Sequence, residues 1–271
     1  MRSATMLYSG TILTVLASAA AAPASTIADL NADWTTSANP NSRPNGAWAY
    51  MQSAIPLSYI AAWAGDPNQT GWGPPANVSG NFLPFMFKTP VEYGDALPDD
   101  VIVHTTDGFN GSGNGDAIIL WTSAVSGTMD ISGSLWPTRL IGRLNEYQLV
   151  LRHAGTPTVL ATGAVPEDGS VSRANPTTFQ VWNQPIVIGD RLELTIVRAT
   201  APGDFAGVNL TVATSCIGDL NHDHVRDLGD LSLLLSQYGC SSGCTADVDG
   251  DGDVDLADLA TELSVYGVPC P

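Results

Sequence analysis

Between residues 26 and 215, hydrophobic and polar positions alternate in short runs bounded by Gly, Pro, Asn and Asp. The runs are Phe82–Lys88, Asp100–His104, Ala117–Thr122, Thr128–Leu135, Glu146–His153, Thr178–Trp182, Arg191–Val197 and Val208–Ala213. Period-2 faces are plain in several: Tyr147, Leu149 and Leu151; Leu192, Leu194 and Ile196; Val208, Leu210 and Val212. Successive side chains of a strand point to opposite faces, so these runs predict half-buried strands. No long amphipathic helix interrupts them. Eight or more short strands joined by polar turns predict a mainly β fold, a jelly-roll-type β-sandwich. About 190 residues suffice for one substantial core.

From Cys216 the period changes to that of a helix. Leu228, Leu231, Leu234, Leu235 and Tyr238 fall on one stripe, as do Leu256, Leu259, Leu263 and Tyr266. Each stripe stops at a glycine, Gly239 or Gly267. The unit is written twice, 28 residues apart, with Asp219, Asn221, Asp223, Asp227 and Asp230 recurring as Asp247, Asp249, Asp251, Asp255 and Asp258. Cys216-Ile-Gly218 and Thr245-Ala246 are too short to place a helix ahead of either loop. The reading is a small all-α domain of two EF-hand-type loop–helix units.

The spacing of the acids points to calcium. A hard dication takes roughly six to eight oxygens, and the EF-hand loop supplies them from positions 1, 3, 5, 7, 9 and 12. In the second copy these are Asp247, Asp249, Asp251, the carbonyl of Asp253, Asp255 and Asp258, with Asp in place of the closing Glu and Gly252 at the sharp turn of position 6. In the first copy they are Asp219, Asn221, Asp223, the carbonyl of Val225, Asp227 and Asp230. There His224 replaces the turn glycine and Arg226 stands at position 8, where the second copy has Val254. Weaker binding is expected of the first loop.

Two tandem units of this kind resemble a type I dockerin domain, over about 55 residues. The motifs that carry the resemblance are Asp219-Leu-Asn221-His-Asp223 with Asp230-Leu231, and Asp247-Val-Asp249-Gly-Asp251-Gly252 with Asp258-Leu259. The resemblance implies calcium-dependent folding and a cohesin-like scaffold partner. Cohesin-reading dockerins commonly carry a polar pair at loop positions 10 and 11; here those are Leu228-Gly229 and Leu256-Ala257.

All four cysteines, Cys216, Cys240, Cys244 and Cys270, lie in this tail, an even count that reads as disulfides in an exported chain. Three pairings are open. Packing of the repeats about a pseudo-two-fold would favour Cys216–Cys270 and Cys240–Cys244. A zinc site is the other use for cysteines, but no spacing here resembles one.

Residues 1–24 read as a secretory signal, with an apolar run from Thr11 to Ala22 too short to span a membrane and cleavage near Ala22–Ala24. The expected division is therefore 1–24 signal, 25–215 sandwich and 216–271 tail. Twenty-seven acidic against ten basic residues give −17, which disfavours nucleic acid and a basic membrane-binding face. Eleven of the acids and one base lie in 216–271, so calcium would offset much of that charge.

The N-terminal part resembles uncharacterised bacterial extracellular β-sandwich modules related in shape to carbohydrate-binding jelly rolls. Its markers are Asn39-Pro-Asn41, Pro44–Tyr50, Ala117–Trp121 before Ser126–Gly133, and Ile186–Leu194. Trp63 and Trp72 flank a Pro- and Gly-rich segment, Ala64–Pro75, without strand pattern. Indoles on such loops would stack on the apolar faces of sugars; the alternative is that they cap the core. A glycosidase needs two carboxylates across a bond. Asp99, Asp100, Asp107, Asp116, Glu146, Glu167 and Asp190 are candidates by type only, and His104 and His153 read as strand residues. The Gly-rich stretch Asp107–Asp116 reads as a hairpin loop. No catalytic set is legible. The expectation is a secreted, non-catalytic, two-module protein whose sandwich binds a polysaccharide, with a dockerin-bearing glycoside hydrolase and a structural surface protein as alternatives.

Overall fold

The computed structural model describes residues 25–36, 45–63, 69–74, 83–106, 116–199 and 202–270, without the side chains of 60–63 and 69. The chain divides into two compact units between Ile217 and Gly218, two residues after the boundary expected from sequence.

The first unit is built from two antiparallel sheets, with strands numbered in chain order. The larger is ordered β12 (Thr177–Ile186), β9 (Gly127–Pro137), β14 (Phe205–Thr214), β7 (Val101–His104), β6 (Phe85–Lys88), β5 (Gln69–Gly73) and β4 (Ser58–Trp63). β1 (Thr26–Asp29) pairs with the far end of β14, beyond the stretch that pairs with β7. The second sheet is ordered β11 (Thr156–Pro166), β10 (Leu144–His153), β13 (Arg191–Arg198), β8 (Ala117–Thr122), β2 (Trp48–Gln52) and β3 (Ile55–Pro56). From β7 onward the chain passes repeatedly between the sheets, which makes the unit a β-sandwich.

Register follows from the alternation. Across the second sheet, Leu149 lies opposite Leu194, which lies opposite Ile119, which lies opposite Tyr50. Leu151, Leu192, Trp121 and Trp48 form the next inward row. These residues are buried in one cluster with Leu135, Val208, Leu210 and Val212 of the facing sheet. A one-residue slip would turn every member of a row to solvent, so the pattern fixes the pairing.

A second apolar layer lies on the outer face of the larger sheet, where Phe85, Phe87, Ile102 and Phe205 pack with Ala96 and Tyr93. Strands β6 and β7 are thus buried on both faces, which is why their sequences read as continuous apolar runs. Trp136 also turns outward there and donates to the Asp95 carbonyl at 3.1 Å. It lies over Gly207, where a Cβ would fall 2.1 Å from the indole.

The expected strands are all present. Six more lie outside the runs named above: β1 to β5, and the long edge strand β11, whose small and polar residues carry no clean alternation. The segment read as patternless contains β5, and this corrects the reading of Trp72. Its indole is buried, stacks on Tyr50 at 5.3 Å, meets Tyr59 edge-on at 5.2 Å and donates to the Thr35 carbonyl at 3.0 Å. It is a core residue, closed to a sugar ring. Trp63 belongs to β4, but its side chain lies outside the described residues.

The second unit has one helix after each loop, α1 (Leu228–Gln237) and α2 (Leu256–Val265). The helical stripes are buried only in part: Leu234 is enclosed and Leu259 packs beside it. Leu228 and Leu235 of α1 and its C-cap Tyr238 are exposed, and so are Leu256 and Leu263 of α2 and its C-cap Tyr266. The inward residues are Asp230 and Leu234 on α1, and Asp258 and Glu262 on α2. The physical reason is the closing aspartate: the loop must turn it inward, and the residue four later shares its face.

Candidate metal centre

Each loop is built around its two end aspartates. At position 12 of the second loop, Asp258 Oδ1 accepts from the N–H groups of Val248 (2.6 Å) and Asp249 (3.1 Å), and Oδ2 accepts from Asp255 N–H (2.7 Å). The first loop repeats this: Asp230 Oδ1 accepts from Leu220 (2.8 Å) and Asn221 (3.0 Å), and Oδ2 from Asp227 (2.9 Å). Position 1 is held likewise. Asp247 accepts from Gly250 and Gly252 at 2.7 and 2.9 Å, and Asp219 from Asp223 and His224 at 3.1 and 2.9 Å. The end carboxylates are thereby fixed by backbone N–H groups.

Position 9 has a second use that the sequence reading missed. Asp227 and Asp255 are the helix N-caps, accepting at 2.6 Å from Gly229 and Ala257 N–H, and each closes a capping box with the aspartate of position 12. The signal was present as Asp-x-x-Asp ahead of each apolar run. One carboxylate pair therefore ends the loop and starts the helix.

In the second loop, carboxylate oxygens of Asp247, Asp249 and Asp258 lie within 4.8 Å of one another, as do those of Asp253, Asp255 and Asp258. Crowding has an electrostatic mark. The Asp253 carboxyl is raised, chiefly by the Asp251 charge; that of Asp249 is raised by burial and then by Asp251, Asp258 and Asp247. Burial also pushes Asp258 up, but the N–H groups of Asp255, Asp249 and Val248 outweigh it and hold that carboxyl low. Carboxylate oxygens grouped this closely could hold a hard dication.

The first loop differs at two turn positions. His222 and His224 hold φ of 60° and 66°, where the second loop has Gly250 and Gly252 at 82° and 106°. Left-handed backbone favours glycine, so the first loop carries a conformational cost at position 4 as well as at position 6. Asn221 also donates to Asp223 Oδ2 at 2.9 Å, a contact that Asp249 does not supply.

Cys240 and Cys244 form a disulfide, Cys216 and Cys270 are disulfide-bonded as well, and no free cysteine remains. Cysteine is thus not available to a zinc ion.

The sandwich carboxylates named from sequence fall in separate places. Asp100 is buried in a two-point pair with Arg173 (2.7 and 3.0 Å), and Asp190 accepts from Val187 N–H and meets His153 Nδ1 at 2.9 Å. Asp107 lies outside the described residues. His104 sits in β7 against the Phe205 ring at 4.2 Å. Glu167 faces a carboxylate that sequence reasoning missed, Asp204, which is ion-paired to Arg139 and lies 3.9 Å from Arg143. Glu167 is 4% exposed and Asp204 0%, so the pair is closed to a polymer. On the outer face of the second sheet a shallow cavity of about 570 Å³ is lined by Glu146, Gln148, Thr162 and Thr195. Trp182, at the end of the run Thr178–Trp182 that predicts a half-buried strand, is 41% exposed on β12. Among the described residues no helix is long and apolar enough to cross a membrane.

No family model and no curated protein matches the chain. Among solved structures it is similar to the CBM22-1 xylan-binding domain from Paenibacillus barcinonensis Xyn10C, at 9% identity over 72% of this chain and 97% of that one, with a TM-score of 0.32. It is similar also to TmCBM61 in complex with β-1,4-galactotriose, at 8% identity over 64% of this chain and 92% of that one, TM-score 0.32. A third is the K3 cleaved adhesin domain of Lys-gingipain from Porphyromonas gingivalis, at 10% identity over 43% and 72% of the two chains, TM-score 0.30. These likenesses are slight, and nothing about a ligand of this chain follows from them.

Proposed function

We propose that this is a secreted, non-catalytic, two-module protein whose tail binds calcium in two dockerin-like loops and, so folded, docks a scaffold partner. The observation that carries the reading is the repetition of one donor scaffold. In both loops the closing aspartate takes three backbone N–H groups at 2.6–3.1 Å while capping the following helix. The cation would be held by Asp247, Asp249, Asp251, Asp255, Asp258 and the Asp253 carbonyl, and by their counterparts in the first loop. Docking is supported by the paired exposed stripes Leu228, Leu235, Tyr238 and Leu256, Leu263, Tyr266, which would bury apolar area against an apolar partner face. With Leu228 and Leu256 at loop position 10, that face is more apolar than the polar pair cohesin-reading dockerins present.

For the sandwich, the shallow cavity where Glu146, Gln148, Thr162 and Thr195 stand beside Tyr147 and Val197 suits a ligand with both hydroxyl and apolar faces, such as a polysaccharide. The enzyme alternative has less support, since the facing carboxylates Glu167 and Asp204 are buried beneath two arginines.

The deciding measurement is a calorimetric titration of calcium into the chelator-stripped full chain with disulfides intact, followed by far-UV circular dichroism. Two binding events with a gain of helix are expected, and Asp247→Ala with Asp258→Ala removes the tighter one. Absence of binding at millimolar calcium overturns the reading.

A further inference from the structure

The two repeats clasp each other through equivalent positions, and the two clasps have opposite chemistry. At the end of α1, Gly239 N–H donates to the Val254 carbonyl of the second loop at 2.8 Å; 28 residues on, Gly267 N–H donates to the Arg226 carbonyl of the first loop at 2.9 Å. Beside the first of these contacts, Leu234 is buried with Ala246 and Val254. The equivalents beside the second are Glu262, Gly218 and Arg226. A carboxylate replaces the leucine, a guanidinium replaces the valine, and a glycine replaces the alanine. Each substitution alone would be costly, but together they form a set.

Glu262 is fully buried, and neither of its carboxylate oxygens accepts a hydrogen bond. A Cβ at position 218 would lie 2.8 Å from Oε2, so glycine there is what makes room. The charges acting on Glu262 are the carboxylates of Asp230 and Asp219, which close and open the first loop, and the guanidinium of Arg226. Arg226 is itself buried and donates to the carbonyls of Val268 and Pro269 at 3.3 and 3.1 Å. The balance of charge pushes the Glu262 carboxyl up to about 7, through burial first and Asp230 next, with Arg226 opposing and Asp219 adding. Asp219, Asp230 and Glu262 thus act against one guanidinium, an excess of negative charge that a dication would relieve.

We infer that Glu262, reaching across from the second repeat, is the charge partner of the first calcium loop, so that filling that loop and seating α2 reinforce each other. The inference rests on the calcium reading of the loops. Calcium between Asp219 and Asp230 removes the repulsion on Glu262 and leaves it to Arg226, which closes the charged clasp. By linkage the seated carboxylate tightens the first loop by the same factor. It offsets what that loop lacks in ligand charge at Asn221 and in turn geometry at His222 and His224. The dry clasp of Leu234, Ala246 and Val254 has no such dependence.

The test is calorimetric titration of calcium into the full chain, disulfides intact, with wild type, Glu262→Gln and Arg226→Gln compared. Asp219→Ala identifies the first-loop event. Glu262→Gln keeps the side-chain shape and is expected to weaken that event about tenfold, leaving the second-loop event unchanged. Arg226→Gln shifts the same field the other way and is expected to tighten it. Unchanged affinities in both variants overturn the inference and leave the calcium reading standing. Equal weakening of both events by Glu262→Gln, with loss of helix, marks a structural role only and also overturns it. Absence of binding in the wild type overturns the calcium reading and this inference together.

Discussion

The sandwich and the tail solve the same problem in different ways. Ordering a chain costs about 1–2 kcal/mol per residue in backbone entropy, and something must offset it. In the sandwich it is area: two sheets enclose Trp48, Tyr50, Trp72, Trp121 and Tyr147 among rows of Leu, Ile and Val. In the tail only Leu234, Ala246 and Val254 are fully buried apolar residues of one cluster, far too few for a domain of that size. What replaces area there is a cross-link, Cys240–Cys244, and carboxylates locked to backbone N–H groups. If a cation fills the loops as proposed, acidic residues there take the place of a core.

The change that would break this contrast most sharply is Trp72→Ala. The indole is fully enclosed and its N–H donates to the Thr35 carbonyl, so truncation leaves a cavity and removes that hydrogen bond. A loss of about 3–5 kcal/mol is expected, or roughly 6–20 °C in the sandwich transition. Scanning calorimetry measures it, with the calcium heats as internal control. Those heats should be unchanged; their loss would mean that the two units do not fold independently.

What was legible in the sequence follows the same division. Strands with one wet and one dry face could be read directly, and β8 has the bounds that its alternation predicts. The edge strand β11 was not legible, because most of its residues face solvent on both sides and no burial disciplines them. Trp72 stood between two readings because its neighbours are Gly and Pro, whereas the partners that make it core, Tyr50 and Tyr59, come from other strands. The exposure of Trp182 was not legible, since strand pattern alone does not say that β12 is an edge strand. In the tail the spacing of the acids revealed both loops. It also hid Glu262, because an acid on a helix ordinarily faces water and only the packing of one repeat on the other turns this one inward.

A smaller effect sharpens the comparison inside the tail. Replacing His224 by Gly removes a left-handed histidine from position 6 and gives the first loop the turn residue of the second. The left-handed penalty is about 1–2 kcal/mol, reduced by the greater chain entropy of glycine when unfolded. The first calcium event should tighten about two- to fivefold, with the second unaffected. Calorimetric titration of the full chain measures this directly. An unchanged first event would show that the backbone at position 6 is not what separates the two loops.

The smallest effect lies where the sandwich most resembles the tail, at Glu167 and Asp204. Here too carboxylates are buried together, but fixed guanidinium groups from Arg139 and Arg143 stand in for a metal ion. Burial raises the Glu167 carboxyl, the facing Asp204 carboxylate raises it further, and the N–H groups of Arg143 and Ile141 partly oppose them. A folded-state pKa above the unfolded one means that the folded protein holds this proton more tightly. Its contribution to stability is therefore complete below the ordinary carboxyl range and is lost as pH rises through the folded value. Asp258 has the opposite sign, since its lowered carboxyl gives up stability as pH falls. Glu167→Gln keeps an oxygen for the two N–H groups and carries no charge, so it should remove the alkaline-side decline. The gain at pH 7 is expected to be small, about 1 kcal/mol or less. Denaturant unfolding of the full chain between pH 4 and pH 8 measures it, following the sandwich transition. A wild-type curve that parallels that of Glu167→Gln across this range would mean that the arginines already neutralise the pair completely. The sandwich would then have built from guanidinium groups what calcium would supply in the tail.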